Sequence, residues 1–223
     1  MLSFAPVPQG APLRILALAA HCDDVEIAAG ATLLRLLGER PGSRLCVLIA
    51  ASDDRRAVEA RAAAEHLAAS AAVAHVEVHT AALAENVLPA FLTEVRALAL
   101  TYGRPFMPDL VFAPHSADRH QDHRVVGEVA HQLFRDHPIL EYEIAKYDGD
   151  LHTPNMYVPV SAELAIAKVD LLEQHYVSQR TRTWFDREAF LGLMRLRGIE
   201  CNAQYAEGFH VRKFVLTGGA TAP

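Results

Sequence analysis

Short apolar runs alternate along the chain with stretches whose apolar residues recur at helical spacing, and this alternation sets the first expectation. Arg14 to Ala20 reads as a buried strand, and Ile27 to Leu37 as a helix stopped at Gly38. Leu45 to Ala50 repeats the strand pattern, and the Ala-rich segment Arg55 to Ala69 repeats the helix. Val73 to Val78, Val87 to Leu100 and Leu110 to Ala113 continue as strand, helix and strand, the last ended by Pro114. Strand and helix in strict alternation predict a parallel sheet wound by helices. The expected fold class is therefore α/β, a Rossmann-like three-layer sandwich with a mostly parallel sheet flanked by helices.

Past Pro114 the rhythm changes. A polar loop, Pro114 to Arg119, leads to a helix from about Asp122 to Phe134, then to a strand-like run from Ile139 to Ile144. Tyr147 to Pro159, rich in Tyr, Asp, Gly and Pro, reads as a loop able to overhang a site. Ala162 to His175 and Arg187 to Arg197 look helical, and His210 to Leu216 reads as an edge strand before a frayed tail. No repeat or low-complexity linker divides the sequence, so residues 1–223 are expected to form one domain.

Polar chemistry gathers where two of these strands end. His21-Cys22-Asp23-Asp24 directly follows the first strand, at the edge where open α/β sheets keep their sites. Buried carboxylates carry a heavy desolvation penalty, which a divalent cation would offset. His120-Gln121-Asp122-His123 lies just past the fourth strand, and thus at the same rim. His21 and Asp24, close together in a turn, can reach one ion, and His123 can complete three ligands with an open fourth position. Asp23 is then free to act on a bound water, and Asp122 is placed to orient a histidine. The rival reading makes Asp23 and Asp24 simple caps of the following helix, which leaves His21 unexplained. Cys22 is assigned to packing. His75, His79, His131, His137, His152 and His210 show no paired carboxylate at useful spacing and are left as core or surface residues.

Composition narrows the classes. A formal charge of -6 with no concentrated Lys/Arg stretch argues against a nucleic-acid partner. Three widely spaced cysteines do not suggest a disulfide framework and suit a reducing, cytoplasmic setting. No secretory signal and no membrane-length apolar window is recognised. A small-molecule substrate fits best; a homo-oligomer is allowed but not indicated.

The segment AHCDDVEIAAGATLLRLL resembles the Ala-His-Pro-Asp-Asp-x-Glu signature of the PIG-L or LmbE-like N-deacetylases. His120-Gln121-Asp122-His123 resembles their His-x-Asp-His motif, and Arg56-Ala57-Val58-Glu59 their Arg-x-x-Glu helix. His175 to Gln179 and Tyr205 to Phe209 resemble the His-x-x-Ser-Gln and Ala-Glu-x-Phe segments, so the likeness runs over nearly the whole chain. The resemblance implies a zinc-dependent hydrolase, with ferrous iron as an alternative metal, that removes the N-acetyl group of an N-acetylglucosamine-type conjugate. It implies that His21, Asp24 and His123 bind the metal and that Asp23 is the general base. Protonated His120 would stabilise the oxyanion or assist proton transfer, with Asp122 orienting it. Two departures stand out: Cys22 replaces the usual Pro, and Ala28-Ala29 replaces part of a Gly-rich run.

Arg56 is a candidate substrate contact, against a helix-surface salt bridge with Glu59 or Glu65; His175 and Gln179 are weaker candidates. Other classes remain in play. Another metal-dependent amidase would need the same ligands. A nucleotide-binding Rossmann module calls for a Gly-rich first turn, and the two carboxylates here would repel phosphate. A non-catalytic metal-binding module would have no use for Asp23.

Overall fold

In the computed structural model, residues 10–71 and 75–214 are described. Among these residues seven strands form one sheet in the order β3-β2-β1-β4-β5-β7-β6. They are β1 (Arg14–Ala19), β2 (Arg44–Ala51), β3 (His75–Leu83), β4 (Leu110–Pro114), β5 (Ile139–Tyr142), β6 (Met156–Val160) and β7 (Tyr205–His210). β3, β2, β1, β4 and β5 pair in parallel, while β7 runs antiparallel to both β5 and β6. Side chains alternate across a pleated strand. Accordingly Ile15, Ala17 and Ala19 of β1 join one core, and Leu16 and Leu18 the other. The first core is closed by α1 (Asp24–Gly38), α2 (Asp54–Ser70), α6 (Ala162–His175) and α7 (Arg187–Glu200). The second is closed by α3 (Leu92–Leu98), the short α4 (Arg104–Phe106) and α5 (Gln121–Leu133). The mostly parallel α/β sandwich expected from the sequence is the fold observed. No described helix is long and apolar enough to cross a membrane.

Four local expectations need correction. The third strand begins at His75 and runs on to Leu83; residues 73 and 74 lie outside the described residues. The expected helix Val87 to Leu100 is broken into a 3-10 turn at Leu88–Phe91, α3, a π turn at Ala99–Gly103 and α4. A Cβ at Gly103 would lie 3.0 Å from the Phe134 ring and 3.2 Å from Leu16 and Leu48, so close packing against the sheet governs that segment. The loop assigned to Tyr147–Pro159 contains most of β6, whose Pro159 is tolerated because β6 is an edge strand. Among the described residues the last strand is Tyr205–His210, internal to the sheet; of the expected edge strand His210 to Leu216, residues 211–214 are not strand and residues 215 and 216 lie outside the described residues. Buried Glu207 disguises β7 as polar. That carboxylate accepts from the backbone N–H groups of Ala31 and Thr32 and from Lys168 Nζ at 2.7 Å.

The chain leaves β1 for β2 and β3 on one side, then returns to β4 on the other. The carboxyl ends of β1 and β4 therefore flank a topological switch point, where an open α/β sheet forms a crevice.

Candidate active site

The turn after β1 carries His21 to Asp24, and the loop and helix after β4 carry Asp118 to His123, so the switch point brings both clusters together. Asp24 Oδ2 accepts the backbone N–H groups of Ala20 and His21, each at 2.9 Å, which fixes the turn and leaves Oδ1 facing two imidazoles. His21 Nε2–H donates to Asp122 Oδ2 at 3.1 Å, and His123 Nδ1–H donates to Asp118 Oδ2 at 2.9 Å. In the neutral rings, the form that binds a metal, the remaining nitrogens carry lone pairs. His21 Nδ1 lies 3.6 Å and His123 Nε2 3.5 Å from Asp24 Oδ1, and the two nitrogens are 3.3 Å apart.

Three acceptors facing one another over such distances need a positive charge among them. Ligand bonds of about 2.0–2.2 Å give a zinc tetrahedron an edge of roughly 3.3–3.6 Å, so the three atoms fit zinc. His21, Asp24 and His123 are also one of the groups able to hold a metal together. Burial works against charge on both histidines, yet Asp24 together with Asp122 at His21 and Asp118 at His123 outweighs it and raises each to about 9. Burial likewise opposes the charged form of Asp24, but His123 and His21 hold it well below the usual carboxylate range.

Asp23 occupies the N-cap position of α1 without making a side-chain cap bond, so the capping rival is not realised. Its Oδ1 accepts from Arg56 Nη2 at 2.8 Å, and its buried Oδ2 has no hydrogen-bond partner among the described residues. Burial raises its pKa; the Arg56 charge opposes that shift and the Asp24 charge adds to it. A carboxylate oxygen poised this way can exchange a proton.

His120 Nδ1 accepts the backbone N–H of Asp122, capping α5. This fixes the neutral tautomer with its proton on Nε2. Burial and the charges of His123 and His21 lower its pKa, which favours the neutral ring over the imidazolium that the resemblance implies. The partner of Asp122 also differs from that expectation. Its carboxylate orients His21 and accepts from the backbone N–H groups of Asn86 and Leu88, whereas its hydrogen bond to His120 comes from its backbone N–H.

A cavity of about 510 Å³ opens above these residues. Arg56 lines it, paired with Asp23 and Glu85 rather than with Glu59 or Glu65. Gln179 lines it too, but His175 does not: its Nε2 lies 2.7 Å from His66 Nδ1 instead. Glu59 accepts from both the backbone N–H and the hydroxyl of Ser178, tying the Gln179 turn to α2. Tyr147 and Asp148, at the start of the overhanging loop, join Arg182 and Trp184 on the wall. Cys22 is buried in the core with its thiol 3.8 Å from the Ala51 carbonyl, and burial pushes that thiol up to about 12, as suits a packing role.

Asp118 escaped the sequence reading. It holds His123, receives Lys146 Nζ at 3.0 Å and accepts the His120 backbone N–H at 2.7 Å. Its only sequence signal is its place two residues before His120, in a loop read merely as polar. Glu85 and Trp184 gave no signal, because their partners come from distant segments.

The same fold recurs in N,N'-diacetylchitobiose deacetylase from Pyrococcus horikoshii, at TM-score 0.70 and 21% identity, covering 89% of this chain and 83% of that one. Teicoplanin deacetylase Orf2 matches at TM-score 0.66 and 18% identity, over 89% of this chain and 97% of its own. GalB, the 4-carboxy-2-hydroxymuconate hydratase of Pseudomonas putida KT2440, matches at TM-score 0.71 and 15% identity, over 94% and 100%. A fold shared by deacetylases and a hydratase does not itself select a reaction. Sequence is more selective: residues 16–134, just over half of the chain and the part carrying both polar clusters, match the family model described as PIG-L, GlcNAc-PI de-N-acetylase. The protein belongs to the PIG-L family.

Proposed function

We propose that this protein is a metal-dependent N-deacetylase that hydrolyses the N-acetyl group of a sugar-type substrate to acetate and a free amine. The observation that carries the reading is the convergence of His21, Asp24 and His123 beside an unpartnered, buried Asp23 Oδ2 on one cavity floor. His21 Nδ1, Asp24 Oδ1 and His123 Nε2 would hold zinc. Zinc bound there would supply Lewis acidity, polarising the amide carbonyl and lowering the pKa of water.

Asp23 Oδ2 takes the proton of the attacking water, while Arg56 holds Oδ1 and keeps the carboxylate aimed. The raised pKa of Asp23 lets it keep that proton and then deliver it to the leaving nitrogen. His120 Nε2–H donates to the carbonyl oxygen as negative charge develops, a contact worth about 3–4 kcal/mol in comparable hydrolases. Tyr147 and Trp184 offer aromatic faces on the wall, and Arg182 and Asp148 offer polar contacts, a lining suited to a sugar. The family description favours an N-acetylglucosamine conjugate.

The test measures acetate release from N-acetylglucosamine conjugates, with and without a chelator, for the wild type and Asp23→Asn. Activity that depends on metal and collapses in Asp23→Asn is expected. Turnover that persists after complete metal removal would overturn the proposal.

A further inference from the structure

The edge strand β3 carries a second constellation that the catalytic reading does not use. His75, Glu77 and His79 alternate with Val76 and Val78, so period two puts all three on one face. In register beside Glu77 stands Cys46 of β2. Ligand atoms from Cys46, Glu77 and His79 all lie within 4.8 Å of one another. His75 Nε2 is 2.6 Å from Glu77 Oε1, and His79 Nε2 is 3.3 Å from Glu77 Oε2. The His79 ring is stacked on Tyr102, with centroids 3.8 Å apart and planes 13° apart, which limits its rotation. Cys46 is fully buried beneath half-buried Glu77 and His79, so the group is open to solvent from the sheet edge and closed below.

We infer that Cys46, Glu77 and His79 form a second site for a borderline-soft divalent cation of the zinc class, tying β2 to the edge strand β3, with the fourth position left to solvent. The donor set selects the metal. A thiolate with imidazole and carboxylate suits zinc and disfavours magnesium or calcium, which prefer all-oxygen shells. Burial and the Glu77 charge push the Cys46 thiol up to about 12, so it is the metal that displaces the thiol proton, which passes to solvent as the sulfur–metal bond forms. Arg44, whose Nη2 now donates to Glu77 Oε1 at 2.9 Å, gives up that carboxylate. Its guanidinium already lies 5.4 Å from the Phe106 ring centroid and keeps that contact.

An ordinary surface ion-pair network would account for His75, Glu77, His79 and Arg44, but it needs no thiol. Cys46 Sγ makes no hydrogen bond among the described residues, and it lies under the carboxylate rather than beside aliphatic groups alone. The group is also remote from the first site. Leu16 pairs with Cys46 across the sheet, and His21 lies beyond the end of β1, whose remaining three residues alone carry the chain roughly 10 Å from that level. The inference therefore stands whether or not the first site proves catalytic.

Cobalt(II) titration of the metal-stripped, full-length protein tests it. Thiolate bound to cobalt gives a ligand-to-metal charge-transfer band in the near ultraviolet, which His21, Asp24 and His123 cannot produce. The wild type is expected to bind two equivalents, one of them with this band. Cys46→Ser should lose the band and one equivalent, whereas Asp24→Asn should lose the other equivalent and keep the band. Cys22→Ser, which removes the thiol closest to the first site in sequence, should keep the band. His79→Ala keeps the thiol and should weaken the band-forming site by roughly tenfold or more. Absence of the band in the wild type, its survival in Cys46→Ser, its loss in Cys22→Ser, or unchanged affinity in a folded His79→Ala would each overturn the inference.

Discussion

Asp118→Asn probes how the proposed metal site is set. Three donors converge on this carboxylate: His123 Nδ1–H at 2.9 Å on Oδ2, the His120 backbone N–H at 2.7 Å on Oδ1, and Lys146 Nζ at 3.0 Å from both oxygens. An amide offers one acceptor and places an NH2 against whatever occupies the other side. If its oxygen serves His123 and Lys146, the His120 N–H faces a donor and the start of α5 loosens. If its oxygen serves His120, the NH2 faces His123 Nδ1, which must shed its proton, and the proton moves to Nε2, the atom proposed to bind metal. Either outcome weakens the site. Loss of such an orienting partner typically costs 10–100-fold in metal affinity, about 1.4–2.7 kcal/mol. The assay is chelator competition on the folded variant, with circular dichroism as the control for folding. Activity should recover in part when metal is supplied in excess. Affinity within about twofold of the wild type, in a background where Asp24→Asn abolishes binding, would refute the argument that Asp118 sets the His123 tautomer.

Three further outcomes follow from other contacts. Asp23→Asn should retain metal, because Asp23 is outside the ligand triangle, while metal-saturated turnover falls by about 10²–10⁴-fold; a drop of less than tenfold in a acetate-release assay would remove Asp23 as base. Gly127→Ala puts a Cβ 2.5 Å from the Pro114 carbonyl oxygen and 3.0 Å from Ser116 Cα, backbone atoms that cannot step aside. It should cost about 1–3 kcal/mol and weaken metal binding, since His123 lies one turn away on α5; unchanged Tm and affinity would show that α5 shifts freely. Glu141 is buried, and although burial opposes its charge, the His131 contact at 2.9 Å and the Ser116 hydrogen bonds lower its pKa from 4.5 to about 2. A depressed folded value contributes stability above pH 4.5 that is lost as pH falls towards 2, at most about 3 kcal/mol. Urea unfolding at pH 5 and pH 3 should show that loss in the wild type and a flatter dependence in Glu141→Gln; parallel curves would contradict the assignment.

What the sequence made legible is what local pattern encodes. The apolar runs of β1, β2 and β4 announce a parallel sheet because both of their faces are buried, and topology then makes the ends of β1 and β4 neighbours. Two polar clusters placed at those ends had to meet, and so His21, Asp24 and His123 could be grouped without a distance. The partners that tune them were hidden, because a hydrogen bond between remote segments leaves no spacing to read. Asp122 illustrates the limit. Two residues from His120 in sequence, it was assigned to that ring, but the first turn of α5 aims its carboxylate across the crevice to His21, 101 residues earlier.

The same limit explains the misreading of β7 and β3. Alternation is recognised by apolar residues, so a strand whose inward position is Glu207 looks like a loop until Lys168 and the N–H groups of Ala31 and Thr32 are seen to satisfy it. In β3 the error runs the other way: His75 and His79 were set aside for want of a carboxylate, although Glu77 stands two residues from each. Two residues apart is a poor spacing on a helix and a shared face on a strand. The expected strand Val73 to Val78 already put His75 and Glu77 on one face, but it stopped short of His79; the extension of β3 to Leu83 adds His79 to that face, beside Cys46 of β2.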